Sequence, residues 1–225
     1  MGRTADLWQC TPYNCTSTGI WNTHYNYDLA GDVSNWTQPT GIVFTNSISA
    51  AQRNTQITST YSDSTHPSTL ATITYAPHGA VNTLTNGCVG TGCVQRLEKY
   101  DYNNRLQPVM IQLGTSATPN ANSCTVYNYY SGVANPTSCT TPTQAGSGNN
   151  GNAVGYFYQD STYPTLGHTA SFTYDSLNRL ATAAATGSST YNLTYGYDRW
   201  GNVTCAGGAG LCTSISYDPA NNNRI

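Results

Sequence analysis

Ser171-Phe172-Thr173-Tyr174-Asp175-Ser176-Leu177-Asn178-Arg179-Leu180-Ala181-Thr182-Ala183 reads as a β-hairpin. Polar and apolar residues alternate up to Tyr174, the period of a half-buried strand. Ser176-Leu177-Asn178 turns the chain, and Arg179 to Ala183 returns as a second strand. A further turn at Thr186-Gly187-Ser188-Ser189 leads into Tyr191 to Asp198. Arg199-Trp200-Gly201-Asn202 then turns into Val203-Thr204, and the cycle restarts at Ser214-Ile215-Ser216-Tyr217-Asp218. Asp175, Asp198 and Asp218 lie 23 and 20 residues apart, which suits one hairpin and its connection per repeat.

The same cassette recurs upstream. Tyr27-Asp28-Leu29-Ala30-Gly31-Asp32-Val33 parallels Tyr197 to Val203, and Tyr100-Asp101-Tyr102-Asn103-Asn104-Arg105-Leu106 parallels Tyr174 to Leu180. Tyr75-Ala76-Pro77-His78-Gly79-Ala80-Val81 keeps the spacing without the Asp. The residue types have clear tasks. Tyr ends a strand with a ring to pack across strands and a hydroxyl to reach a polar partner. Asp accepts N–H groups of the turn that follows. Gly31, Gly201, Asn104 and Asn178 fall where a positive φ is expected. A lone hairpin is marginal, so neighbours must associate side by side.

Composition agrees. Only 8% of the 225 residues are charged, eight basic against ten acidic, while 18 are Tyr. Thr, Ser, Asn, Gly and Tyr form a strand-and-turn vocabulary, so the class is all-β: tandem hairpin repeats stacked into a spiral or open sheet array. One continuous repeat region, 1–225, is expected, with the strongest repeats at 171–225, degenerate ones at 21–115, and a loop at 136–151. Eight scattered basic residues cannot build the stripe a nucleic-acid partner requires. No apolar run approaches the roughly 20 residues of a membrane helix, and no membrane insertion is expected.

Eight cysteines cluster in twos: Cys10 with Cys15, Cys88 with Cys93, Cys124 with Cys139, and Cys205 with Cys212. About 105 connectivities exist in principle. Gly, Pro, Asn and Ser between the neighbours allow each pair to close locally, which is the expected pairing. Metal binding is the rival, but CxxC-like and HxxxH-like spacings are missing. Disulfides point to an oxidising, extracellular or cell-surface setting.

Tyr174-Asp175-Ser176-Leu177-Asn178-Arg179-Leu180, Tyr197-Asp198-Arg199-Trp200-Gly201-Asn202-Val203-Thr204 and Tyr27-Asp28-Leu29-Ala30-Gly31-Asp32-Val33 resemble the Tyr-Asp (YD) repeats of the RHS family. Tyr217-Asp218-Pro219-Ala220-Asn221-Asn222-Asn223-Arg224-Ile225 is similar, with a longer turn. The resemblance implies a long β-sheet wound as a spiral, which in complete members closes into a hollow shell around a C-terminal toxin. Other members are wall-associated or adhesive surface proteins. Two departures count. The family's C-terminal core and self-cleavage segment has no counterpart after Tyr217-Asp218-Pro219, and the length is short for closing a cage. An open array with exposed sheet ends is then expected, and such edges pair with other chains.

Chemistry is sparse. Asp28, Asp101, Asp175, Asp198 and Asp218 repeat as turn residues, and Glu98 is the single Glu, so the flanking carboxylates of a glycosidase are not recognisable. His24, His66, His78 and His168 stand apart in turn-like contexts. No nucleophile elbow or phosphate loop occurs, and no cofactor is expected. Trp8, Trp21, Trp36 and Trp200 with the tyrosines fit sheet faces and cross-strand pairs better than a sugar platform. Asn14, Asn35, Asn192 and Asn202 begin N-x-[ST] sequons. The expected role is non-enzymatic. The first reading is a secreted structural protein that self-assembles with copies of itself into a fibre or layer. Its alternatives are a segment of a toxin-enclosing RHS shell, with neighbouring RHS segments as partners, and a carbohydrate-binding surface module.

Overall fold

The computed structural model describes residues 2–10, 21–145, 147–206 and 212. Among the described residues fifteen strands follow one another in sequence order through the sheet, and each ladder described is antiparallel. No α-helix occurs among the described residues; a single 3-10 turn spans Pro164–Leu166. The chain divides into two compact units, residues 1–99 with 114–119, and residues 100–113 with 120–225.

The first unit holds β1 (Asp6–Gln9), β2 (Trp21–Tyr27), β3 (Val33–Thr37), β4 (Val43–Ile48), β5 (Asn54–Ser59), β6 (Thr69–Tyr75) and β7 (Val81–Asn86), and the start of β8 (Leu97–Tyr102). Period-2 alternation sorts its side chains. Tyr25, Trp36, Phe44 and Ser59 are directly opposed along successive ladders, and the Trp36 and Phe44 rings stack at 5.0 Å. The opposite face carries Thr and Asn: Asn26 bonds Asn35, and the Thr74 and Thr83 hydroxyls meet at 2.6 Å. An apolar face and a hydroxyl-amide face result from the pleat alone.

The second unit holds the end of β8, then β9 (Pro108–Gly114), β10 (Ser123–Asn128), β11 (Gly155–Asp160), β12 (His168–Tyr174), β13 (Leu180–Gly187), β14 (Tyr191–Tyr197) and β15 (Val203–Ala206). Here the deepest core forms. Met110, Cys124 and Val126 are buried, with Phe157 and Cys139 packed against them. Cys139 belongs to the connection 129–154, which has no helix or strand among its described residues. The Cys124–Cys139 disulfide ties this connection to β10, with Cα atoms 6.0 Å apart. Elsewhere most apolar side chains are half-buried, as a single sheet layer requires.

Two more disulfides, Cys88–Cys93 and Cys205–Cys212, join neighbours along the chain, with Cα separations of 5.8 and 5.5 Å. The expected Cys10–Cys15 pair includes Cys15, which lies outside the described residues. Tyr217 and Asp218 lie outside them too.

Candidate functional site: the joints between hairpins

The repeated unit is a five-residue turn. In Asp28–Asp32, the N–H of Asp28 donates to the Asp32 carbonyl and the N–H of Gly31 donates to the Asp28 carbonyl. The same two bonds close Gln38–Ile42, Ser49–Arg53, Ala76–Ala80, Asn103–Gln107, Asp175–Arg179 and Asp198–Asn202. In each, the fourth residue has a positive φ: Gly31, Gly41, Gln52, Gly79, Leu106, Asn178 and Gly201. This is the three-residue hairpin loop whose last residue is left-handed. The carboxylate locks it. Asp198 Oδ1 accepts from the N–H groups of Trp200 and Asn202, and Asp175 Oδ1 from those of Leu177 and Arg179. Bonds from the Arg179 backbone and then its side chain hold the Asp175 carboxyl below the usual carboxylate range.

Tyr27, Asp28 and Gly31, Tyr174 and Asp175, and Tyr197, Asp198 and Gly201 thus meet in single turns. Tyr100 and Asp101 do not. They lie within β8, and the turn there is built by Tyr102-Asn103, two residues later. Asn103 Oδ1 accepts from the N–H groups of Arg105 and Gln107, the task Asp performs elsewhere. Leu106, not Asn104, takes the positive φ. A side-chain amide oxygen accepts the same two bonds as a carboxylate oxygen, so the letter D was a misleading marker.

The residues flanking the turn connect one hairpin to the next. The residue before the turn pairs with the one after it: Tyr27 with Val33, Tyr75 with Val81, Tyr174 with Leu180, Tyr197 with Val203. The Tyr hydroxyl then reaches back to the preceding hairpin. Tyr75 donates to the Asn54 carbonyl at 2.7 Å and Tyr197 to that of Leu180 at 2.8 Å; Tyr129, which opens the long connection after β10, donates in the same way to Pro108 at 3.0 Å. Each acceptor is the residue just past the preceding turn. The arginine that closes that turn covers the ring: Arg53 lies 5.4 Å from the Tyr75 ring centre and Arg179 lies 4.1 Å from that of Tyr197. Gly79 faces the Arg53 guanidinium, and a Cβ there would collide with it. Tyrosine, arginine and a free carbonyl form a joint that sequence inspection missed, because its parts lie 17 to 21 residues apart.

In the second unit the rings of Tyr127, Tyr156, Phe172, His168 and Tyr191 run across neighbouring strands with centroids 5.4 to 6.3 Å apart. His168 starts β12, and His24 lies inside β2, so neither occupies the turn-like setting their sequence context suggests. The Leu166 carbonyl can only accept, so His168 Nδ1 donates to it at 2.6 Å and Nε2 accepts from the Tyr156 hydroxyl at 2.9 Å. Burial, with the bond to Tyr156, pushes the Tyr191 hydroxyl up to about 12. Among the described residues no group of three His, Cys, Asp or Glu side chains is placed to hold a metal ion.

No family model and no curated protein matches the sequence. Solved structures do. A TcdB2-TccC3 crystal structure without the hypervariable C-terminal region aligns over 93% of this chain, with a TM-score of 0.63 and 17% identity. The Photorhabdus luminescens Tc holotoxin pore, carrying a TccC3 mutation, aligns over 84% with a TM-score of 0.59 and 16% identity. What is shared is the fold. This chain spans about a tenth of the length of the toxin chains it matches.

Proposed function

We propose that this chain is a non-enzymatic stretch of RHS-type YD-repeat sheet, secreted or surface-exposed, that serves as part of the wall of a larger repeat structure. The observation that carries the reading is the joint, in which Tyr197 binds the Leu180 carbonyl beneath Arg179 and Tyr75 repeats the arrangement with Asn54 and Arg53. Such a joint adds each hairpin to the last without a limit on number, which suits a wall built by extension. The likeness to Tc toxin chains supports the toxin-enclosing alternative over the fibre. Three disulfides support an oxidising setting. Neighbouring RHS segments are the partners this role requires.

Negative-stain electron microscopy of the purified chain tests the reading. Discrete particles whose size does not grow with concentration agree with a wall segment. Long filaments would return the fibre reading. A gene neighbourhood encoding a toxin and an immunity protein would add to the first outcome.

A further inference from the structure

One joint lacks both the tyrosine and the arginine. Before the turn Ser49–Arg53 stands Ile48, paired with Asn54, where Tyr27, Tyr75, Tyr174 and Tyr197 stand in other hairpins. The preceding turn, Asp28–Asp32, closes on Asp32, at the position that Arg53 and Arg179 hold in theirs. A carboxylate thus replaces a guanidinium, and a short aliphatic chain replaces a ring. The Val33 carbonyl, which a tyrosine hydroxyl would reach by the rule, accepts from Asn46 Nδ2 at 2.8 Å. A cavity of about 210 Å³ is left, lined by Asp32, Val33, Asn46, Ile48, Gln52 and Asn54.

The oxygens around this cavity are short of positive charge. Asp32 Oδ2 is buried and has no hydrogen-bond partner among the described residues, whereas Asp28 Oδ1 in the same turn accepts from the N–H groups of Gly31 and Asp32. A buried carboxylate oxygen without a partner is costly. The Asn54 amide has a conflict of its own. With its nitrogen toward the Ser47 and Gln56 carbonyls, at 3.2 and 3.0 Å, both bonds form, and its oxygen faces Asn46 Oδ1 at 3.1 Å. Turned the other way, the nitrogen reaches Asn46 Oδ1, but the oxygen is aimed at those two carbonyls. Asn46 gives no relief, because the Val33 carbonyl fixes its nitrogen on the far side. Two amide oxygens therefore face each other with no proton between them. A cation shared by these oxygens removes both conflicts. Carboxylate and amide oxygens are the ligands of a hard ion, and Gln52 adds another amide. The lining offers none of the thiolates or imidazoles that zinc and copper prefer.

We propose that this cavity binds a calcium ion through Asp32, Asn46 and Asn54. A single carboxylate places the affinity in the weak range of extracellular calcium modules, about 10⁻⁴–10⁻³ M. The test uses the full chain with its disulfides intact, stripped of metal on a chelating resin. In ~10 mM calcium chloride the folded-to-unfolded ratio rises about tenfold and the melting midpoint by about 3–5 °C, relative to sodium chloride of equal ionic strength. Magnesium, which gives up its water reluctantly, produces a smaller rise. Asp32→Asn keeps the turn, since Asn202 holds the same position in its own turn, and it loses the calcium response. Asn54→Ala removes one amide oxygen without touching a charge, and in titration calorimetry it weakens calcium binding about tenfold. Asp63→Asn, at an exposed turn outside the cavity, leaves the response unchanged. No rise beyond the sodium chloride control, a magnesium response equal to or above that of calcium, or a full calcium response in Asp32→Asn would overturn the proposal.

Discussion

The Tyr197 hydroxyl donates to the Leu180 carbonyl at 2.8 Å, and Leu180 is itself paired across its own hairpin with Tyr174, the tyrosine of the preceding repeat. One residue therefore serves two repeats, through its backbone pairing in one and its carbonyl in the next. This sharing makes the stability of neighbouring hairpins interdependent.

Tyr197→Phe keeps the ring under Arg179 and deletes only the hydroxyl bond. A loss of about 1 kcal/mol is expected in urea unfolding. Tyr197→Ala removes the ring as well and costs more, because the Arg179 contact and the half-buried ring area go together. Equal losses for the two variants would show that the hydroxyl does not join the repeats.

Leu106 and Gly201 occupy the same turn position, with φ of 64° and 87°. A leucine there is strained, and the residue is 57% exposed, so little burial compensates. Leu106→Asn, which copies Asn178, is expected to raise stability by up to about 1 kcal/mol. Gly201→Val is expected to lower it by about 1–2 kcal/mol. Thermal melts of both variants read the two signs.

Acid should loosen the turns. The Asp175 carboxyl is lowered by bonds from the Arg179 backbone and side chain. For Asp198, burial pushes upward and is outweighed by bonds from Asn202, Trp200 and Gly201. A carboxyl with a depressed folded pKa contributes its stability fully above the unfolded value of about 3.9 and loses it as pH falls through the folded value. The contribution of these two turns to the unfolding midpoint should therefore be level above about pH 5 and fall below about pH 4. Asp175→Asn should be less stable at neutral pH and flatter across the acid range. A wild-type midpoint unchanged down to pH 2 would contradict this.

The Cys124–Cys139 bond closes the longest disulfide loop described, with a separation of 15 residues against 5 for Cys88–Cys93. Replacing Cys124 and Cys139 together with Ala is expected to cost about 3 kcal/mol, more than the equivalent change at Cys88 and Cys93. Hydrogen exchange should then rise in residues 129–154 before it rises in β9 and β10.

The all-β class, the hairpin repeat and three of the local cysteine pairs were legible in the residues, because each rests on short-range causes. Alternation sets the strands, Gly31 and Gly201 permit the left-handed turn residue, and a few intervening residues let Cys88 reach Cys93. Legibility failed where the backbone asked for a role that several residue types can fill. Asn103 stands in for Asp, and Leu106 and Gln52 accept a positive φ that neither residue favours, so the turns at 49–53 and 103–107 carry no local signature. Tertiary structure alone decided the rest. The Tyr197–Leu180–Arg179 joint, the aromatic row through Tyr156 and His168, and the cavity lined by Asp32, Asn46 and Asn54 each join residues brought together by strand register. That register comes from the cooperative pairing of whole strands, which no single segment of the sequence specifies.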